Sequence, residues 1–262
     1  MALHLNYREY AGPGPALLLL HGLFGRAANW GAIAKQLATD YTVIVPDLRN
    51  HGASPHDPDM RYTSMTADVI SLLNRLGIND AIWVGHSMGG KVAMTAALKD
   101  PSRVRALAVV DMAPVSYTHN FDDVLAGFDA VDLSTVQSRK EADQQMSQVI
   151  SSAALRGFLL QNLQRDQQGY QWELGLEHLR AAVASITGFD QPQGRFEEDS
   201  VFIPGSESHY VTEQNWPIIQ QYFPRASRCV VEGAGHWVYA DKPQEFMRCL
   251  QQFLQSLDDL AQ

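Results

Sequence analysis

One short segment of this 262-residue chain joins a hydroxyl nucleophile to the glycines that could expose it: Gly85-His86-Ser87-Met88-Gly89, its only G-x-S-x-G. A serine hydroxyl attacks a carbonyl when a base takes its proton and N–H donors receive the charge that builds on the carbonyl oxygen. The segment follows the apolar run Ala81-Ile-Trp-Val84 and opens a helical pattern at Met88. A strand-to-helix turn this tight strains the serine backbone and lifts the hydroxyl to a helix N-terminus, where free N–H groups favour negative charge. The overlapping pattern Gly85 to Lys91 also fits the phosphate-cradling G-x-x-x-x-G-K. It is followed by Val92, where that loop needs Ser or Thr to hold magnesium. Lys91 reads more simply as a first-turn residue of the helix.

Nine histidines compete for the role of base. His236 stands in Gly233-Ala-Gly-His-Trp237, just after the last strand pattern, where glycines free it to turn back over the sheet edge. His86 adjoins the serine, and its side chain should point away from the hydroxyl. His21 and His51, in glycine turns, are expected to line or brace the pocket. His4, His56, His119, His178 and His209 have no arranged partners and are assigned to the surface or the helical lobe. The carboxylate that fixes the imidazole tautomer can come from two strand ends. Asp111 closes the run Ala106–Val110. The other end reads Gly205-Ser-Glu-Ser208, where many hydrolases of this type carry Asp at the place of Ser208 and where Glu207 is one residue out of register. Asp111 therefore takes the role and keeps the chain order Ser, Asp, His. The oxyanion donors are assigned to the N–H groups of Met88 and of Leu23, in the turn His21-Gly-Leu-Phe-Gly25 after the strand Ala16–Leu20. A turn-shaping role for His21 and Gly25, and a strand-end capping role for Asp111, are the plainer alternatives.

The elements that must position these groups alternate. Tyr41–Val45, Ala81–Val84 and Ala106–Val110 are short, near-continuous apolar runs, as strands covered on both faces read. Helical patterns separate them near Trp30–Ala38, Thr63–Leu76 and Met88–Lys99, and an edge strand is expected over Leu3–Glu9. This rhythm predicts an α/β fold with a mostly parallel sheet. From about Val115 to Gln191 the strand signal disappears, and helices are expected at Phe121–Val131, Glu141–Ile150, Ala153–Leu163 and Glu177–Ile186. The organisation read from this is an α/β core from 1–114 and 191–262 with an inserted helical cap, 115–190. A strand at Val201–Pro204, a helix at Glu213–Tyr222, a strand at Arg228–Val231 and a helix at Pro243–Leu257 complete the core. The cap aromatics Phe121, Phe128, Phe158, Tyr170, Trp172 and Phe189 suit either an apolar roof over an acyl chain or simple helix packing.

Twenty basic against 29 acidic residues give a net charge of −9 and a pI near 5.4, a surface that repels phosphate backbones. Nucleic acid is therefore not an expected partner. The longest early apolar run, Ala16–Leu20, is too short to span a bilayer, and the first residues lack the pattern of a signal peptide. A cytoplasmic location is the default expectation. Cys229 and Cys249 make no metal spacing or disulfide framework and are read as small buried hydrophobes. The oligomeric state is not readable.

Taken together, His21-Gly-Leu-Phe-Gly25, Asp47-Leu-Arg-Asn-His-Gly-Ala-Ser54, Gly85-His-Ser-Met-Gly-Gly-Lys91, Val110-Asp-Met-Ala-Pro114 and Gly233-Ala-Gly-His-Trp237 resemble the α/β-hydrolase superfamily. Within it they are similar to the bacterial YbfF-type esterases. The resemblance implies an α/β-hydrolase fold and a cofactor-free hydrolase of acyl esters or acyl thioesters. It implies Ser87 as nucleophile, Asp111 as acid, His236 as base, and Leu23 and Met88 as oxyanion donors, with no metal site. Carbon–carbon bond hydrolases, perhydrolases and non-turnover ligand receptors share the framework and are the rival readings. Arg156, Arg165 and Arg180 could meet the phosphates of a coenzyme A leaving group or could be solvated helix residues.

Overall fold

A computed structural model describes residues 2–118, 120–167, 169–190 and 193–259. In chain order the core elements begin with β1 (Tyr7–Tyr10), β2 (Ala16–Leu20), α1 (Gly31–Leu37), β3 (Thr42–Pro46) and α2 (Tyr62–Arg75). They continue through β4 (Ala81–His86), α3 (Met88–Lys99) and β5 (Val104–Val110). Next come α4 (Asp122–Asp129), α5 (Arg139–Met146), α6 (Ala153–Leu159), β6 (Leu163–Arg165), β7 (Tyr170–Trp172), α7 (Leu176–Ala181) and α8 (Val183–Thr187). The chain then returns through β8 (Ser200–Ile203), α9 (Trp216–Tyr222), β9 (Ala226–Arg228), α10 (Val238–Asp241) and α11 (Pro243–Asp259).

The described strands of the main sheet run in the order β1-β3-β2-β4-β5-β8-β9. Only β1 is antiparallel to its neighbour; every other pairing is parallel. Side chains alternate across a strand, so a strand covered on both faces must be apolar throughout. β2 does this: Leu18 and Leu20 join one core with Trp83, Leu107 and the buried side of α2, while Leu17 and Leu19 join the other with Ile82, Val84 and α11. Helix α3 is buried along almost its whole length, and Gly89, Gly90, Ala93, Ala96 and Ala97 let it lie close against the sheet. This is the α/β-hydrolase fold.

Several expectations need correction. The stretch between β5 and β8 is not free of strand: β6 and β7 pair antiparallel as a short ribbon, Leu163 opposite Trp172. Three-residue strands are too short to show a period, which is why the pattern hides them. The helix expected over Glu177–Ile186 is two helices, α7 and α8, meeting at Ala182. Cys229 and Cys249 are not separate apolar fillers: they form a disulfide, Cα atoms 5.9 Å apart, tying the end of β9 to α11. Their pairing depends on α11 packing back under β9, which no local pattern records.

Candidate active site

The turn between β4 and α3 holds Ser87 at φ 54° and ψ −117°, a conformation that costs a non-glycine residue about 1–3 kcal/mol. Close packing enforces it. A Cβ at Gly85 would lie 2.2 Å from the Gly89 carbonyl oxygen, so the strand and helix meet only if that position is bare. Among the described residues, the other non-glycine residues with positive φ are Phe24, Asn50 and Asp111. Phe24 and Asp111 flank the same site. Met88 is the first residue of α3, so its N–H has no acceptor within the helix.

Asp111 follows β5 immediately and is fully buried. His236 lies in the loop before α10, and its ring spans the gap between acid and hydroxyl. His236 Nδ1 is 2.7 Å from Asp111 Oδ2, and Nε2 is 3.0 Å from Ser87 Oγ. A carboxylate can only accept, so Nδ1 carries the hydrogen and Nε2 presents a lone pair to the serine. Asp111 also accepts from Gly205 N–H at 3.3 Å and from the Ser208 hydroxyl at 2.5 Å. Ser208 thus occupies the alternative acid position as a donor, and Glu207 is exposed on the surface.

The loop after β2 is fixed from several sides. The Gly22 carbonyl accepts His21 Nδ1–H at 2.8 Å and Gly25 N–H at 3.0 Å. In a trans peptide the next N–H points the opposite way, so Leu23 N–H faces away from both donors, and Leu23 lines the cavity at Ser87. A Cβ at Gly22 would come within 3.0 Å of His86 Nδ1 and 3.1 Å of Ser87 Cβ, so a side chain there would press the loop back from Ser87 by a few tenths of an ångström. Phe24 N–H donates to His51 Nε2 at 3.1 Å, and Leu48 N–H donates to His21 Nε2 at 2.9 Å. Burial lowers the pKa of His21 and drives that of His51 down to about 3. Both therefore stay neutral and able to accept. The bracing expected of His21 and His51 is their observed role.

Three partners were not legible. His86 donates from Nε2 to the His236 carbonyl at 2.8 Å, pinning the loop that carries His236. Tyr210 stacks on the His236 ring at 4.2 Å. Lys91 Nζ donates to the Thr187 and Gly188 carbonyls at 2.8 and 2.7 Å and approaches that of Ile186 at 3.4 Å, tying α3 to the end of α8. Burial without a carboxylate partner lowers the Lys91 pKa to about 7. A lone basic residue in a helix pattern gives no hint of this. Of the remaining histidines, His4, His56 and His209 are exposed, His178 is half-buried on α7, and His119 lies outside the described residues.

The cavity above Ser87 measures about 140 Å³ and is walled by Leu23, Met88, Phe121, Phe158, Ile186 and Trp237, among others. Phe128 packs on Phe24 and Trp172, and Phe189 on Tyr62, so the cap aromatics divide between roof and packing. Leu155, Phe158 and Trp237 also wall an open groove of about 1160 Å³ that runs between α1, α6 and α11. Among the described residues no cluster of three or more His, Cys, Asp or Glu could hold a metal, and no helix is long and apolar enough to cross a membrane.

A family model described as alpha/beta hydrolase fold matches residues 15–243. The chain belongs to the α/β-hydrolase family. This α/β-hydrolase is 40% identical over 96% of its length to the sn-1-specific diacylglycerol lipase ABHD11 of Mus musculus, of which it covers 85%. It is 35% identical over 91% of its length to the esterase YbfF of Escherichia coli, of which it covers 92%. A solved marine microorganism esterase superposes with a TM-score of 0.93 at 33% identity, covering 96% of this chain and all of that one. The α/β-hydrolase described here is accordingly a hydrolase of the esterase and lipase type.

Proposed function

We propose that this α/β-hydrolase is a serine esterase that cleaves carboxylic esters of short to medium acyl chain through an acyl-enzyme on Ser87. The observation that carries the reading is the continuous line Ser87–His236–Asp111, with contacts of 3.0 and 2.7 Å. His236 Nε2 takes the hydroxyl proton as Ser87 Oγ bonds to the ester carbon, and the carbonyl electrons move onto oxygen. The N–H groups of Leu23 and Met88 hold that oxyanion. His236 then protonates the leaving alcohol oxygen as the ester C–O bond breaks. Water repeats the sequence on the acyl-serine, giving the acid and free Ser87. These steps call for no metal or organic cofactor.

In this reading residues 115–190 form the cap and 1–114 with 191–262 the catalytic core. The acyl chain enters the small cavity, and the leaving group lies along the open groove. The two arginines of that groove are occupied: Arg26 by Glu173 at 2.7 Å, Arg139 by the carbonyls of Leu160 and Leu163. Arg156 and Arg180 are paired with Asp143 and Asp129, and Arg165 lies over the Tyr170 ring. That favours an uncharged leaving group, such as a glycerol ester, over coenzyme A with its phosphates. Turnover of p-nitrophenyl esters and monoacyl- or diacylglycerols, set beside acyl-CoA thioesters of equal chain length, tests this. Faster cleavage of the esters supports the reading, and a preference for the CoA series contradicts it. A cytoplasmic location belongs to the same proposal, although the Cys229–Cys249 bridge weighs against it. Two free thiols per chain under conditions that trap the cellular redox state would favour the cytoplasm.

A further inference from the structure

The segment between β5 and β8 touches the catalytic loop through one buried polar side chain. Asn162, fully buried between α6 and β6, donates from Nδ2 to the Phe24 carbonyl at 2.8 Å. The same amide reaches the Leu159 carbonyl at 3.2 Å, while its Oδ1 is buried without a partner. An amide oxygen left unpartnered in the interior is destabilising, so what Asn162 supplies here is its Nδ2 donor. Closing the last turn of α6 does not explain the choice, since that needs no reach to Phe24.

Phe24 stands at φ 61°, strained for a residue with a side chain. It is gripped from both sides: its N–H by His51 at 3.1 Å, its carbonyl by Asn162. Neighbouring contacts stitch the same two segments together. Asn29 Nδ2 donates to Gln161 Oε1 at 2.6 Å, and Arg26 donates to the Gln161 carbonyl at 3.0 Å. Gln161 is exposed and Arg26 and Asn29 are half-buried; Asn162 is the fully buried one.

We infer that Asn162 is a positioning residue for the oxyanion loop: by clamping the Phe24 carbonyl it holds the Leu23 N–H where charge develops in acyl transfer. The inference rests on the assignment of Leu23 as an oxyanion donor. It makes the cap part of the catalytic apparatus, because the loop is fully fixed only when the segment carrying Asn162 is seated. A misplacement of about 1 Å in such a group can cost about 10²-fold in rate.

The test compares the full-length enzyme with Asn162→Leu on p-nitrophenyl butyrate. A clamp predicts kcat about 10–100-fold lower with KM within about threefold. It also predicts a parallel weakening of a trifluoromethyl ketone, which forms the oxyanion, and unchanged binding of butyrate, which does not. The variant must remain folded, read by its circular dichroism and melting curve, since the loss of the unpartnered oxygen is offset by the Phe24 carbonyl left without its donor. Asn162→Asp, equal in size but without the donor as a carboxylate, serves if the leucine variant does not fold and should lose kcat in the same way. Unchanged kcat and ketone affinity in a folded variant overturn the clamp and leave the esterase reading standing. Absence of turnover in the unaltered enzyme defeats the esterase reading itself.

Discussion

Ser208 donates its hydroxyl hydrogen to Asp111 Oδ2 at 2.5 Å, on the same oxygen that accepts from His236 Nδ1 at 2.7 Å. The two strand ends that could each supply a triad acid therefore meet on one atom. Asp111 stands after β5, and the position after β8 gives it a neutral donor.

That shared oxygen allows the acid to be moved. Asp111→Asn tolerates the positive φ of 49° but offers an amide where a carboxylate fixed the tautomer. Ester turnover should fall by about 10³–10⁴-fold. Adding Ser208→Asp to this variant should recover at least about tenfold of it, because the new carboxylate can reach His236 from the other strand. Steady-state kcat/KM of the single and double variants checks the expectation, and no recovery counts against equivalence of the two positions.

Acid stability should report the buried histidines. The pKa of His51 is depressed to about 3 in the folded chain against an ordinary 6.5, through burial. Between those values the unfolded chain binds a proton that the folded one does not. The contribution of His51 is therefore whole above pH 6.5 and is lost as pH falls towards 3, by up to about 1.4 kcal/mol per pH unit. Burial lowers His21 in the same direction. Urea denaturation across this range should show the slope, and His51→Gln, although less stable at neutral pH, should show a shallower one. Equal slopes in both proteins would remove His51 as the cause.

Reduction should loosen the loop that carries the base. The disulfide links residues 20 apart in sequence and encloses His236. Closing a loop of that length is worth about 3 kcal/mol of unfolded-chain entropy. A lower melting temperature in dithiothreitol, matched by Cys229→Ser with Cys249→Ser, is expected; identical melting curves would contradict it.

How much was legible follows from the range over which each signal acts. The elbow is local: Gly85, Ser87 and Met88 lie within five residues, and α3 begins at Met88 as the pattern predicts. β2 and the Ala81–Val84 part of β4 are legible because burial on both faces leaves them no polar residue. Strand ends were less so. β1 begins at Tyr7, not Leu3, and β9 covers Ala226–Arg228, ahead of the expected Arg228–Val231, because pairing with β3 and β8 decides where a ladder starts. Asp111 and His236 were singled out by their places at strand ends, and the structure brings the two within hydrogen-bond distance. Asn162, Ser208 and Lys91 were not, since each acts on a backbone or carboxylate group from a distant part of the chain. Nothing in the residues around Asn162 announces that Phe24 will face it.

The central claim is that Ser87 is the nucleophile of an acyl transfer driven by His236. Covalent labelling with a fluorophosphonate, located by peptide mass, together with turnover of p-nitrophenyl butyrate by the unaltered enzyme and by Ser87→Ala, tests it most directly. One label per chain on Ser87, and a loss of about 10³-fold or more in the folded alanine variant, is the expected result. Turnover that survives Ser87→Ala undiminished, or a label carried by another residue, would contradict the account.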